Sequence, residues 1–296
     1  MAPYGSYSGL VFLSENLIII PNAQTNALEI WDIFSTHQTL HPACILQLPE
    51  LSPGNSLFSI TCRGEPNPIG SASQIESDKP FFQSAHEAIM LFHIQVQLGD
   101  PVAHQQHGGG MIHTYTLFVH RKALCETYER QSVETNSKSE DSLGGADDNS
   151  ISIPWSSWGP PITRWFPADS TNSARWITTS AGQRGVFCGS HPAIACQYIV
   201  LDFNSESLRR AETLSLDASN RIQCFRHWDA IQTEGLFKEP VIGELPFSIC
   251  ASEGFYAWDG ALIDEERVLG LEVCTCNNFF FFPVSSLNFK SVSLGA

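Results

Sequence analysis

The feature that most constrains this chain is a series of short apolar runs separated by turn residues. Two early runs, Leu17–Ile20 and Leu28–Ile33, flank the connection Pro21–Asn26, whose Pro and Asn residues favour a hairpin turn. In Ala88–Gln97 and His113–His120 the side chains alternate as they do along a strand. Short runs of β-branched and aromatic residues favour strands. The sequence therefore predicts an all-β fold.

Further runs of this kind recur along the whole chain. They are Leu10–Leu13, Ala43–Leu48, Ser56–Cys62, Ile162–Phe166, Ala174–Thr179, Gly185–Cys188, Ile194–Phe203, Glu212–Leu216, Pro246–Cys250, Gly254–Trp258, Arg267–Cys274 and Asn278–Val284. Helical periodicity is poor by comparison. The best helical candidate, Lys122–Arg130, is short and is followed by no Gly cap, so it does not change the predicted class.

Three polar stretches interrupt this pattern. Thr127–Ser150 has six acidic and two basic residues with few apolar anchors, so it is predicted to be a disordered acidic insert. Residues 99–110 contain three consecutive Gly and are predicted to form a flexible loop, and residues 66–80 are a third candidate insert. Strand-like runs resume after each one. The sequence thus predicts a single domain over residues 1–296.

A faint repeat suggests how the strands are organised. Hairpin-like pairs recur at Ser14–Asp32, Gly185–Phe203 and Asp259–Leu271, and Trp31-Asp32 is a WD dipeptide. At ~40–45 residues per blade, the chain holds about four to six blades. This predicts a WD-repeat-like β-propeller that is incomplete or irregular, with a pair of β-sandwiches as the competing architecture. If the ring closes, the run Phe279–Phe282 is expected beside Leu10–Leu13 or Leu17–Ile20.

Composition and charge narrow the classes of partner. The net charge of −15 disfavours binding to nucleic acid and to anionic membranes. The N-terminal residues lack the pattern of a secretory signal, and the longest apolar runs fall well short of the ~20 residues that span a bilayer. The nine Cys show no disulfide framework and are predicted to be reduced core thiols. We therefore expect a cytoplasmic or nuclear protein.

No constellation in the sequence predicts catalysis. His104, His107 and His113 are close in sequence, but two of them lie in the Gly-rich stretch, so a solvated loop is favoured over a metal site. Cys274 and Cys276 form a C-x-C pair without the second pair that a zinc site needs. Phosphate-binding loops, nucleophile elbows and dinucleotide fingerprints are absent. We expect a non-enzymatic protein without metal or cofactor.

The densest aromatic segment supplies the candidate interaction residues. These are Trp155, Trp158, Arg164 and Arg175, because Trp and Arg dominate the energetics of many protein interfaces. A purely structural role, with Trp165 anchoring a strand, is the competing interpretation. An alternative from another class is a carbohydrate-binding or glycoside-cleaving β protein, in which the rings of Trp155 and Trp158 line a groove beside two carboxylates.

Several segments together carry a family resemblance. They are Leu17–Asn22 with Leu28–Trp31, Trp158–Phe166, Ala174–Thr178 with Gly182–Arg184, and Asp259–Leu271. This set resembles the C-terminal region of fungal F-box proteins, and the similarity covers most of the chain outside the inserts. The resemblance implies a propeller-like region that recognises a protein substrate, as part of a ubiquitin ligase.

The resemblance does not extend to the F-box. No helical stretch precedes Leu10 in this sequence, so docking to a cullin ubiquitin-ligase adaptor would require an F-box upstream. The chain is then expected to be either a fragment of a longer F-box protein or a member that lacks ligase docking. The resemblance transfers no functional residue. The leading hypothesis is a protein-interaction module with a protein substrate as its partner.

Overall fold

A computed structural model gives the fold of the chain. It describes residues 8–34, 41–65, 67–68, 84–99, 111–139, 150–168, 179–188, 197–214, 222–225, 235–252, 254–256, 260–264, 267–274 and 286–293. The chain divides into two compact units. Unit 1 comprises Met1–Ala168 and His227–Leu245, and unit 2 comprises Asp169–Arg226 and Pro246–Ala296. Both units are therefore built from two separate stretches of chain.

The described residues of unit 1 form two sheets. The first has the order β1-β2-β3-β4-β8, with strands β1 (Val11–Phe12), β2 (Leu17–Asn22), β3 (Ala27–Asp32), β4 (Cys44–Gln47) and β8 (Ile151–Ile153). The second has the order β5-β6-β7-β9, with strands β5 (Ser56–Arg63), β6 (Ile89–Gln97), β7 (Ile112–His120) and β9 (Thr163–Ala168). All pairings are antiparallel except that of β4 with β8.

The hairpin predicted between the first strong apolar runs is confirmed. Strand β2 pairs with β3 from Leu17↔Asp32 to Asn22↔Ala27. Asn22 Oδ1 accepts hydrogen bonds from the backbone N–H groups of Gln24 and Thr25, which closes the turn. Asn26 completes the turn with φ of 52°, a left-handed conformation that Asn adopts more readily than most residues.

The two sheets of unit 1 share one apolar core. Leu28 and Ile30 from the first sheet and Phe92 from the second are fully buried in it. Strand alternation places Trp165 in this core and Arg164 on the other face of β9, as the pairings Leu117↔Trp165 and Phe118↔Arg164 show. Arg164 and Trp165 therefore lie on opposite faces of β9.

The all-β prediction is wrong in one respect, because helices interrupt the strands. Helix α1 (Arg121–Ser139) follows β7 directly, and helix α2 (Trp155–Ile162) precedes β9. Disorder was predicted from Thr127 onward, but the helix continues to Ser139; residues 140–149 lie outside the described residues. Leu124 and Cys125 are buried in the core of unit 1, and this packing supports a helix whose remaining sequence is polar.

Arg121, the first residue of α1, is itself buried. Its guanidinium donates hydrogen bonds to the carbonyls of Gly64, at 3.4 Å, and of Ala85. Burial lowers its pKa to about 10. Because these two carbonyls flank residues 65–84, Arg121 connects the two ends of that stretch, which includes the whole of the predicted insert 66–80.

The described residues of unit 2 also form two sheets and one helix. Its first sheet has the order β10-β11-β12-β14-β13, with strands β10 (Ser180–Ala181), β11 (Arg184–Cys188), β12 (Tyr198–Asp202), β13 (Ile222–Phe225) and β14 (Phe247–Ala251). Its second has strands β15 (Gly260–Ile263), β16 (Arg267–Cys274) and β17 (Ser286–Ser293) in sequential order. Helix α3 (Ser205–Leu214) occupies part of the strand predicted at Glu212–Leu216, which is a further correction.

The chain is thus mostly β, and its described parts form four sheets that are largely antiparallel. Within the described residues no sheet closes on itself. The predicted neighbour of the N-terminal strands, Phe279–Phe282, lies outside the described residues, as do residues 100–110 of the predicted flexible loop. None of the helices in the described parts of the chain has the length and apolar character needed to cross a bilayer.

Candidate functional site: a cleft beside Trp155

Helix α2 positions the predicted aromatic residues of unit 1. Pro154 precedes the helix in an extended conformation, and its carbonyl accepts a hydrogen bond from Ser157 N–H at 3.0 Å. Pro160 and Pro161 remove two N–H donors from the end of the helix. Thr163 Oγ1 donates to the carbonyl of Gly159 at 2.7 Å and so satisfies a carbonyl near the helix end.

A remote segment, residues 241–245, supports the end of this helix. The backbone N–H of Glu244 donates to the carbonyl of Pro160 at 2.7 Å, and that of Leu245 donates to Thr163 at 3.0 Å. A Cβ on Gly243 would lie 2.6 Å from the carbonyl oxygen of Thr163, so the close approach requires glycine. The position of α2 therefore depends on chain far away in sequence.

Trp155 and Trp158 of helix α2 form an aromatic cluster with Trp165 of β9. Trp155 meets Trp158 and Trp165 edge to face, with centroid distances of 5.1 and 5.7 Å. Trp158 is 2% exposed, and its indole N–H donates to the carbonyl of Gln47 at 2.8 Å. Such perpendicular aromatic pairs stabilise a cluster beyond their buried area alone. Two of the three rings are core residues, and Trp155 is half-buried at the surface.

Gly159 fixes the position of the Trp155 ring. An added Cβ at Gly159 would lie 2.2 Å from two ring carbons of Trp155, Cε3 and Cζ3. The ring therefore lies directly against the helix backbone, where any side chain at residue 159 would displace it. This contact and the two neighbouring indoles hold Trp155 in one place.

A short ladder between remote segments forms the second part of the site. Leu51 and Phe237 make an isolated antiparallel bridge, and Lys238 N–H donates to the carbonyl of Glu50 at 2.9 Å. Phe237 is buried and packs edge to face on Tyr115 and Trp165, with centroids 6.1 and 6.0 Å apart. The ladder is thus anchored in the same aromatic core as α2.

Between these segments lies a cleft of about 390 Å³. Its lining comes from the start of helix α2, from the ladder, from the β2–β3 turn and from the end of β4 with the residues that follow it: Asn26, Gln47, Leu48, Pro49, Glu50, Pro154, Trp155, Ser156, Lys238, Glu239 and Pro240. Asn26 Nδ2 donates to the carbonyl of Pro49 at 2.9 Å, while its buried Oδ1 has no hydrogen-bond partner among the residues that the structure describes. We call this space the Trp155 cleft.

The lining of the Trp155 cleft has more negative than positive side chains. Lys238 forms an ion pair with Glu50, and both side chains are substantially exposed. Glu239 is exposed, and the described residues offer it no ion pair. The lining therefore holds two carboxylates and one ammonium group. Because Lys238 pairs with Glu50, the negative charge of Glu239 is not compensated within the lining.

The four predicted interaction residues have different positions. Trp155 lines the cleft, but Trp158 and Arg164 are buried, and Arg175 lies outside the described residues. Arg164 is 1% exposed, and its Nε donates to the carbonyl of Leu245 at 2.8 Å. Burial lowers its pKa to about 10. For Trp158 and Arg164 the structural interpretation is therefore the better one.

Candidate metal ligands do not gather in the described parts of the chain. His104 and His107 lie outside them. His93 contacts Thr116 Oγ1 through Nδ1 at 3.0 Å, and burial, with a smaller contribution from Arg63, lowers its pKa to about 4. Cys44, Cys62, Cys125, Cys224 and Cys250 are free thiols. Burial raises the pKa of Cys44 and Cys62 to about 12, which opposes thiolate chemistry.

Three comparisons were made with known proteins. No protein-family model, curated protein or solved structure matches this chain. The geometry of the cleft therefore carries the functional argument.

Sequence patterns did not reveal the charged residues of the cleft. Glu50, Lys238 and Glu239 are ordinary surface charges in the sequence, and Glu50 lies 188 positions from Lys238. The sequence features nearest to Lys238 and Glu239 are Gly235 and Pro240, which flank residues 236–239. Gly235 has φ of 77°. Such residues mark a turn but not the strand it will meet.

Proposed function

We propose that this chain is a non-enzymatic protein-interaction module, and that its scaffold is related to the substrate-recognition region of F-box ubiquitin-ligase subunits. The observation that carries the proposal is Trp155, a half-buried aromatic held rigidly at an open cleft. Rigid aromatic side chains at a concave surface lose little conformational entropy when a partner binds. The partner is a protein substrate.

The arrangement of strands supports a propeller-like scaffold within this proposal. Each of the four sheets is made mostly of strands that are neighbours in sequence, as propeller blades are. Strands β5, β6 and β7 form a meander of this kind, and so do β15, β16 and β17. Contact with a cullin ubiquitin-ligase adaptor is proposed only for a protein that also carries an F-box.

The carbohydrate alternative receives less support from the site. It requires two tryptophan rings in one groove, but Trp158 is buried and donates its indole N–H to a backbone carbonyl. It also requires a pair of carboxylates free to act on a sugar, whereas Glu50 is engaged with Lys238. Trp155 alone meets the geometric requirement.

Two neighbouring serines provide a matched test of the proposed function. Ser156 and Ser157 are both exposed on α2, but Ser156 lines the cleft and Ser157 does not. Ser156→Tyr should fill the cleft without disturbing the core, and Ser157→Tyr is its control. Cross-linked partners captured from a cell extract should fall about fivefold or more for Ser156→Tyr, which corresponds to roughly 1 kcal/mol of binding.

The control variant should retain the wild-type set of partners. Circular dichroism and thermal unfolding check that both variants fold. Equal capture by Ser156→Tyr and Ser157→Tyr, or turnover of a small molecule without any stable protein partner, would sink the proposal.

A further inference from the structure

We infer that the Trp155 cleft receives a basic side chain, arginine in particular, from an extended segment of the partner protein. This inference rests on the proposed function and names the chemistry that the cleft recognises. A volume of about 390 Å³ lies at the small end of the range for ligand sites, so it accommodates one or two side chains and not a folded surface.

Charge is the first reason for a basic occupant. The lining holds Glu50, Lys238 and Glu239, and the ion pair of Lys238 with Glu50 leaves the Glu239 carboxylate uncompensated. An anionic ligand would meet this carboxylate, and its long-range approach would be opposed by the net charge of −15. A cationic ligand is attracted on both counts.

The aromatic ring is the second reason, and it favours arginine over lysine. A guanidinium group stacks on an indole face and at the same time donates paired hydrogen bonds to a carboxylate. Trp155 and Glu239 supply these two complementary groups within one cleft. Lysine would gain the charge interaction but not the planar stacking or the paired donors.

The backbone of the lining is the third reason. Pro49, Pro154 and Pro240 have no N–H group, so at three of the eleven lining positions no backbone donor exists for an anion. The prolines contribute only carbonyl acceptors, of which that of Pro49 already accepts from Asn26 and that of Pro154 from Ser157. A lining whose backbone offers fewer donors than acceptors is less suited to an anion than to a ligand rich in donors.

The test uses the full chain and three defined peptides. They are acetyl-Gly-Ser-Arg-Ser-Gly-amide and the same sequence with lysine or with citrulline, which keeps the shape of arginine but not its charge. Binding is followed by the indole N–H resonance of Trp155 in 15N-labelled protein, assigned with Trp155→Phe. We expect the arginine peptide to shift this resonance saturably. The lysine peptide should bind with lower affinity, and the affinity of the citrulline peptide should be at least about fivefold lower than that of the arginine peptide.

Charge reversal at Glu239 tests the carboxylate that is proposed to bind the arginine side chain together with Trp155. Glu239→Lys should weaken the arginine peptide by at least about tenfold, because a like charge replaces the attractive one. The control is Glu134→Lys, an equal change of net charge at an exposed position of α1 outside the cleft, and it should stay within about twofold. Equal binding of the arginine and citrulline peptides, or equal effects of the two reversals, would overturn the inference.

These outcomes can be separated from those of the capture experiment. If Ser156→Tyr loses protein partners while the arginine peptide shows no preference, the interaction function stands and the basic occupant is wrong. If the capture experiment finds no partner that depends on the cleft, the proposed function fails whatever the peptides do.

Discussion

The two principal segments that line the Trp155 cleft differ in what holds them. The helical segment, residues 154–156, is backed by a buried aromatic cluster in which Trp158 and Trp165 contact Trp155. The ladder segment, residues 238–240, presents exposed charged side chains above the buried anchor Phe237. Substitutions in the buried cluster behind the first segment should therefore change stability, and substitutions among the charges of the second should change binding with little effect on stability.

Trp158→Ala should have the largest effect. Removing this ring leaves a cavity beside Trp155 and leaves the carbonyl of Gln47 without its donor. We expect the free energy of unfolding to fall by about 3–5 kcal/mol. Urea denaturation followed by circular dichroism measures it, with Trp158→Phe as the milder comparison. A loss below about 1 kcal/mol would mean that the aromatic cluster does not support the helical segment.

Gly159→Ala should have the next largest effect. The new methyl group would lie within 2.2 Å of the Trp155 ring, which must move or force the helix to move. Overpacking of this kind costs about 1–3 kcal/mol. The control is Ser157→Ala, an exposed position of the same helix, which should stay within about 0.5 kcal/mol. If the two variants unfold at the same urea concentration, Trp155 is not fixed by the helix backbone.

Asn26→Ala tests the turn that also lines the cleft. Alanine at φ of 52° is strained, and it lacks the amide that donates to Pro49. We expect a loss of about 1–2 kcal/mol, measured by thermal unfolding. Asn26→Gly relieves the strain but still lacks the amide, so it should be the less damaging of the two. The opposite order would show that the hydrogen bond, and not the backbone conformation, governs this turn.

The ion pair between Glu50 and Lys238 should have the smallest effect on stability. Both side chains are substantially exposed, so water and salt weaken their attraction. A double-mutant cycle with Glu50→Gln and Lys238→Met should give a coupling free energy below about 1 kcal/mol. A coupling well above that value would place the charges of the ladder among the stabilising contacts and would remove the contrast between the two segments.

Much of the strand pattern could be predicted from sequence. The hairpin of β2 and β3 was predictable because its strands are apolar and its turn contains Pro and Asn. Strands β6 and β7 were predictable from alternation, which follows from the burial of Phe92, Ile94 and Leu117 in one core. In each case the signal and the partner strand lie close together in the sequence.

The helices could not be predicted in the same way. The sequence of α2 contains Gly159, Pro160 and Pro161, residues that usually end a helix, and its stability comes from packing of Trp155 and Trp158 and from the remote residues 241–245. The residues of α1 that pack on the core, Leu124, Cys125 and Tyr128, lie in the first half of the helix, so the sequence shows no long apolar stripe that would predict it. Both helices therefore depend on tertiary contacts that the local sequence does not show.

The candidate site was predicted only in part, for a related reason. Trp155 was predicted because its segment is the densest in aromatic residues. The burial of Trp158 and Arg164 depends on partners at Gln47 and Leu245, which are distant in the sequence. The charged residues of the cleft depend on the ladder of Leu51 and Phe237, whose sequence separation hides the pairing. Local patterns contain no information about such contacts.

The discontinuity of unit 1 has a consequence for synthesis on the ribosome. The first part, up to Ala168, emerges before residues 169–226 of the other unit and well before the anchor Phe237. Until then Tyr115 and Trp165 lack one aromatic neighbour, and the end of α2 lacks the donors of Glu244 and Leu245. In a nascent chain of this design, the aromatic core and the end of α2 stay incompletely packed until residue 245 leaves the exit tunnel.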